Sequence, residues 1–189
     1  MQHIPLHVIQ ASWIAFAIYW IAATGSLSKM CRKETAGEPL RNAFMVFGAA
    51  LMIAEIPYRG VLNRRFLPFE HWPYWLGAGL TVAGILFAFW ARYHIGRYWS
   101  SSIALRSGHK IIRTGPYRTT RHPIYTGILL ALLEGALAIG KYRAILGFAI
   151  MAAGFTVKAK KEEALLAGEF GPDFSEHQRQ TGFFLPKLS

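Results

Sequence analysis

Long apolar runs separated by blocks of lysine and arginine constrain this chain more than any other feature. Residues 5–27 form a continuous apolar stretch, and about 20 helical residues suffice to cross the hydrocarbon core of a bilayer. Further apolar segments cover 43–57, 72–91, 123–140 and 144–157. Backbone in lipid must satisfy its own hydrogen bonds, and runs of this length do so as helices. The expected fold class is therefore all-α: a polytopic membrane helical bundle of about five transmembrane helices, with a cytoplasmic loop and a C-terminal helix. At 189 residues a single domain is expected, with three spans in 1–91 and a polar-motif half in 92–189. Residues 1–5 hold no lysine or arginine, so the positive region of a cleaved signal is missing and a retained first helix is expected.

The net charge of +11 excludes little by itself, but its distribution does. The cations sit in blocks between apolar runs, a pattern suited to lipid headgroups and to topology rather than to a phosphate groove. Membrane lipids are expected partners and nucleic acid is not. With five crossings, sixteen of the 21 lysines and arginines fall on the side holding the tail and the loops after the first and third spans, leaving five on the other. The positive-inside rule then puts the N-terminus outside and the tail in the cytoplasm, the inner membrane being the site in a prokaryote. One cysteine, Cys31, rules out an internal disulfide.

Several local expectations follow along the chain. Glu55 and Arg59 are spaced for an i,i+4 ion pair. Residues 92–102 read as a short interfacial helix carrying Arg92, Tyr93, Arg97 and Trp99. The connection Lys141-Tyr142-Arg143 is so short that its flanking segments must form an antiparallel hairpin. Gly127, Ala131 and Gly135 make a small-residue stripe that admits a close neighbour. Glu134 lies within an apolar segment, where an acid is a functional candidate; pairing with a cation from another helix, or protonation, accounts for it without catalysis. Residues 158–170 should continue the fifth segment as helix. Residues 183–186 either return to the membrane surface or cover the site.

Polar chemistry concentrates in residues 108–127, which pack four cations, two histidines, two prolines and three glycines between apolar segments. Gly115-Pro116 and His122-Pro123 force sharp turns, and Pro123 suits the first position of a helix. A helix start offers free N–H groups and a positive dipole end. A basic loop that merely anchors helix ends has the same composition.

The run Gly115-Pro116-Tyr117-Arg118, then Arg121-His122-Pro123-Ile124-Tyr125-Thr126-Gly127, resembles the signature of the isoprenylcysteine carboxyl methyltransferase family and its bacterial and archaeal members. Glu162-Glu163, Phe170-Gly171 and Phe184-Leu185-Pro186 downstream, and Gly96-Arg97-Tyr98-Trp99-Ser100 upstream, extend the likeness over the C-terminal half. The resemblance implies an integral membrane methyltransferase using S-adenosyl-L-methionine and no metal. It implies a cofactor site built from His109, Lys110, Ile112, Thr114, Gly115, Pro116, Tyr117, His122, Pro123, Tyr125, Glu162 and Glu163, facing the cytoplasm. No glycine-rich dinucleotide fingerprint follows a candidate strand, so a soluble methyltransferase fold is not indicated.

The implied acceptor is a lipophilic small molecule or prenylated substrate bearing a carboxylate. Such an acid is ionised at neutral pH and needs no general base, so alignment and exclusion of water carry the rate. Arg118 and Arg121 are candidates to grip the acceptor carboxylate bidentately, with Glu163 the third candidate at the reacting centre. A lipid amine or small thiol acceptor would recruit His122 or Glu163 as base. A non-catalytic membrane scaffold that keeps the fold is the alternative of a different class.

Overall fold

The computed structural model describes residues 3–34, 37–53, 60–67 and 72–187. The Glu55–Arg59 pair lies outside them. In chain order the elements are α1 (His3–Ala22), β1 (Met30–Glu34), α2 (Glu38–Ile53), α3 (Trp72–Ile95), β2 (Ile103–Arg106), α4 (Pro123–Ile139), α5 (Tyr142–Phe170) and α6 (Pro172–Gln180). This is an all-α membrane bundle with one small sheet. Among the described residues three helices are long and apolar enough to cross a bilayer, over Ile4–Ala22, Tyr74–Tyr98 and Tyr142–Phe170. The other two apolar segments, α2 with 16 residues and α4 with 17, are shorter and pack against α5 and α3 respectively.

Two glycine contacts set the spacing of the bundle. Gly84 on α3 and Gly127 on α4 meet backbone to backbone, so that a Cβ on either would strike the other's carbonyl oxygen. Ala88 and Ala131 flank this crossing, and small residues allow such an approach. The same device joins α2 to α5, where Gly48 and Gly147 face each other. The stripe of Gly127, Ala131 and Gly135 is thereby explained for its first two members against α3, while Gly135 faces Met52 of α2.

The end of the bundle near residues 140–143 is closed by arginines. Arg143 donates from Nη1 to the carbonyls of Leu51 and Met52, at 2.7 Å each, and from Nε to Asn63 Oδ1 at 3.2 Å. Arg65 donates to Ile139 O at 2.8 Å and to Leu67 O at 3.1 Å. Both therefore satisfy carbonyls at the C-terminal ends of α2 and α4, where the helix dipole also favours a cation. Gly140, at φ +63°, ends α4 and donates its N–H to Ala136 O; α5 starts two residues on, giving the expected hairpin.

One local expectation needs correction, and two further features join distant parts of the chain. Residues 92–102 form no separate helix: α3 runs on to Ile95, a short 3-10 turn covers Gly96–Tyr98, and β2 follows. Arg92 is buried and donates to Gly96 O at 2.7 Å and to Ala23 O at 2.8 Å, so it ties the end of α1 to α3. The sheet itself was not foreseen. β1 and β2 are antiparallel, with Arg32 opposite Leu105 and Glu34 opposite Ile103, and strands this short are recognised by their partner rather than by their own pattern. Glu134, finally, takes a neutral partner: Thr81 Oγ1 donates to its Oε2 at 2.6 Å across the α3–α4 seam.

Helix α5 spans 29 residues, roughly 43 Å at 1.5 Å per residue. That exceeds the apolar thickness of a bilayer. Its second half thus carries Lys158, Glu162 and Glu163 out to the mouth of the bundle, as the alanine- and lysine-rich composition suggested.

Candidate active site

The start of α4 organises the site. His122 sits at φ −122°, ψ 54°, outside the helical region, and Pro123 takes the first helical position, because proline excludes its predecessor from the α basin. The residues after α6 fold back on this turn: Arg121 N–H donates to Gly182 O at 2.9 Å and His122 N–H to Phe183 O at 3.2 Å. The Phe183 ring lies 5.0 Å from the His122 ring. Residues 182–184 thus brace the site from behind, which settles them on the protein.

Two neighbouring glutamates of α5 have different surroundings. Glu163 is fully engaged: Arg121 Nε donates to Oε1 at 2.5 Å, His122 Nε2 lies 3.1 Å from the same oxygen, and Gln178 Nε2 donates to Oε2 at 3.0 Å. Arg121 also donates to the carbonyls of Gln178 and Thr181, so its guanidinium joins α4, α5 and α6. Glu162 points the other way. It accepts from Tyr125 Oη at 2.6 Å, and His122 Nδ1 stands 3.8 Å from its Oε2. The His122 and Tyr125 rings stack at 5.7 Å with planes 8° apart.

Glu162 lines a cavity of about 130 Å³ at the bundle mouth. His109, Lys110, Ile112, Tyr117, Arg121, His122 and Tyr125 line it too, so eight of the residues singled out from sequence meet at one hollow. Burial and the Glu162 charge push the Tyr117 phenol well above its ordinary range. Burial holds the His109 imidazole below its usual value of 6.5, against a smaller opposing effect of Glu169.

Thr114, Gly115, Pro116, Arg118, Pro123 and Glu163 are not on the cavity wall. Thr114 to Arg118 build the turn that seats Tyr117, whose N–H donates to Thr114 O at 3.2 Å. Gly115, at φ +56°, lies where a Cβ would run into the His94 ring. Arg118 is exposed at the end of that turn. Among the described residues no group of three or more histidine, cysteine or acidic side chains is placed to hold a metal.

The cavity also has walls not assigned to a site from sequence. Tyr98, Trp99 and Ser100, quoted above only for the family likeness, and Ser102 come from the segment after α3, Leu165 and Leu166 from the turn beyond Glu162, and Phe174 and His177 from α6. The two leucines were recoverable, since positions three and four beyond Glu162 share its helix face. His177 carried no signal. It is buried, and burial followed by the Arg113 and Arg121 charges lowers its affinity for a proton.

The chain is 32% identical to the nickel-cobalt-cadmium resistance protein NccN of Alcaligenes xylosoxydans xylosoxydans over 121 residues, 61% of this chain and 54% of that protein. It is 33% identical to the cobalt-zinc-cadmium resistance protein CzcN of Cupriavidus metallidurans over 121 residues, 61% of this chain and 53% of that protein. It is also 27% identical to the uncharacterized protein YpbQ of Bacillus subtilis over 95 residues, 49% of this chain and 56% of that protein. The chain thus spans about half the length of the curated relatives it matches. The model of the isoprenylcysteine carboxyl methyltransferase (ICMT) family matches residues 77–168, from α3 through Glu162 and Glu163. Through this segment, which holds the motifs at the start of α4 and the paired glutamates of α5, the chain is similar to the ICMT family.

Proposed function

We propose that this protein is a membrane methyltransferase that binds S-adenosyl-L-methionine in the cavity at the mouth of α3, α4 and α5 and methylates a lipophilic carboxylate of isoprenylcysteine type. One observation carries the reading: a cavity lined mostly by the family-matched segment brings together an acid, Glu162, three tyrosines and a histidine nitrogen with unused bonding capacity. His109 Nδ1 is buried and lacks a hydrogen-bond partner among the described residues. The residues present fit a nucleoside carrying an amino-acid tail. Glu162 would receive its ammonium, Tyr117, Tyr98 and Trp99 would flank its ring, and His109 would meet a polar edge.

When bound, this cofactor supplies a methyl group on a sulfonium, a good leaving group. The protein's contribution is then positional. Tyr125 holds Glu162 through its hydroxyl hydrogen bond, while Arg121 and His122 hold Glu163 and so fix the α4 turn to α5. An ionised carboxylate acceptor needs no proton removed, so His122 acts as a positioning residue rather than a base. The apolar and aromatic walls exclude water from the reacting groups. Arg118, exposed beside the Tyr117 turn, can meet charge arriving from the aqueous side. The excess of cations at this end of the bundle supports a cytoplasmic orientation, where the cofactor is available.

Calorimetry of S-adenosylmethionine and S-adenosylhomocysteine with the purified protein in detergent tests this proposal, with Glu162→Gln and His122→Ala alongside. Saturable binding by the wild type, weakened in both variants, is the expected result. Absence of binding by well-folded wild type overturns it.

A further inference from the structure

Arg41 lies in α2, outside the family-matched segment, and its position follows from the α2–α5 seam. Met52 packs with Ala144, Gly48 meets Gly147, and Met45 lies over Gly154. The two helices therefore run antiparallel, and the next residue along the same stripe of α2 is Arg41. It comes opposite the part of α5 that reaches the site, close enough to Lys158, Glu162 and Tyr125 to act on each electrostatically.

The arginine is 7% exposed, yet among the described residues its Nε and Nη1 are buried without a hydrogen-bond partner. Its Nη2 makes a long contact of 3.4 Å to Asn42 Oδ1 and lies 3.9 Å from Glu38 Oε1. A buried guanidinium with two N–H directions open is costly unless something else accepts them. The surroundings favour an anion. Lys158 stands with its Nζ 5.3 Å from the Tyr125 ring, donating to Ser101 O at 2.7 Å, and the Lys161 ammonium lies beside Gly37. Against these cations stand Glu38 and Glu162, and Glu162 is already engaged by Tyr125. The adjoining surface is apolar: Met45 and Trp20 pack on the cluster of Tyr125 and Phe155, and Phe44 and Phe47 of α2 are exposed.

We propose that Arg41, assisted by Lys158, forms an oxyanion subsite between α2 and α5 that binds the acid group of the lipophilic methyl acceptor. The inference rests on the methyltransferase reading above. The planar fork of Arg41 offers two parallel donors to a carboxylate, and the Met45, Trp20 and Phe155 surface accommodates the attached hydrocarbon. Arg121, in contrast, is committed to Glu163 and two carbonyls.

The test measures direct binding of N-acetyl-S-farnesylcysteine, its methyl ester and phosphatidylglycerol to the full chain in detergent, without cofactor. The wild type should prefer the acid over the ester by about tenfold or more. Arg41→Gln should abolish that preference with ester binding intact, Arg41→Lys should keep part of it, and S-adenosylhomocysteine affinity should stay within about twofold. Should Arg41→Gln fail to fold, Arg41→Lys and Lys158→Gln carry the test, each lowering the acid preference. An undiminished preference in the arginine variants, or no preference in the wild type, overturns the assignment. Loss of S-adenosylhomocysteine binding with acid preference intact would give Arg41 to the cofactor's carboxylate instead. Equal displacement by phosphatidylglycerol would give the site to a lipid phosphate. Because the acceptor assay contains no cofactor, failure of the wild type to bind S-adenosylhomocysteine would sink the methyltransferase reading separately.

Discussion

The two ends of this bundle differ in how far their buried polar groups are satisfied. At the hairpin end Arg143 and Arg65 spend their donors on carbonyls at the ends of α2 and α4. At the other end Arg41 Nε and Nη1 and His109 Nδ1 are buried without a hydrogen-bond partner among the described residues, and Glu162 faces a cavity. Satisfied polar groups close helices; unsatisfied ones around a hollow are where a ligand adds bonds that the chain lacks. Sequence charge counts treat all these arginines alike.

Breaking the seam that both ends share should have the largest effect. Gly127→Leu forces a side chain into the backbone of α3 at Gly84, and no folded monodisperse protein is expected on size-exclusion chromatography. Next comes Arg143→Ala, which strands the carbonyls of Leu51 and Met52. It should cost about 3 kcal/mol, lowering the thermal midpoint by about 6–12 °C, while S-adenosylhomocysteine affinity of the folded fraction stays unchanged. Glu162→Gln should reverse that pattern, weakening the same ligand by about tenfold to a hundredfold with little change in thermal midpoint. If both substitutions lowered stability and affinity together, the contrast between the ends would fail.

A smaller effect concerns pH. His177 and His109 are held below the ordinary value of 6.5 in the folded protein. The unfolded chain therefore takes up protons more readily, so the stability they contribute is present above 6.5 and lost as pH falls towards their folded values. The thermal midpoint should drop between about pH 7 and pH 5, and His177→Asn should flatten the curve. The smallest effect belongs to the exposed Arg179–Glu176 pair of α6. Glu176→Ala should leave both midpoint and ligand affinity within error, since exposed pairs contribute little.

Much of the architecture was written in apolar run lengths. The five segments all appear as helices, the Lys141-Tyr142-Arg143 hairpin is real, and α5 continues through Glu163 as its composition indicated. Over the described residues, three of these helices are long enough to cross a bilayer alone, while α2 and α4 are shorter and lean on longer helices. The loop from His109 to Tyr125 was legible through its prolines, which force the turns that seat Tyr117 and His122. The division of labour between Glu162 and Glu163 was not legible: adjacent helical residues point about 100° apart, and which one faces the cavity depends on where α4 and α6 lie.

What the sequence determined alone is thus the membrane class, the helical segments and the stretch that carries the family motifs, because hydropathy, proline geometry and small-residue spacing act over short distances. The tertiary structure decided the β1–β2 pairing, the commitment of Arg121 to Glu163, the arrival of His177 at the cavity wall and the burial of Arg41. Each joins residues far apart in the chain, and no local pattern states which distant group will satisfy a donor once water has been removed.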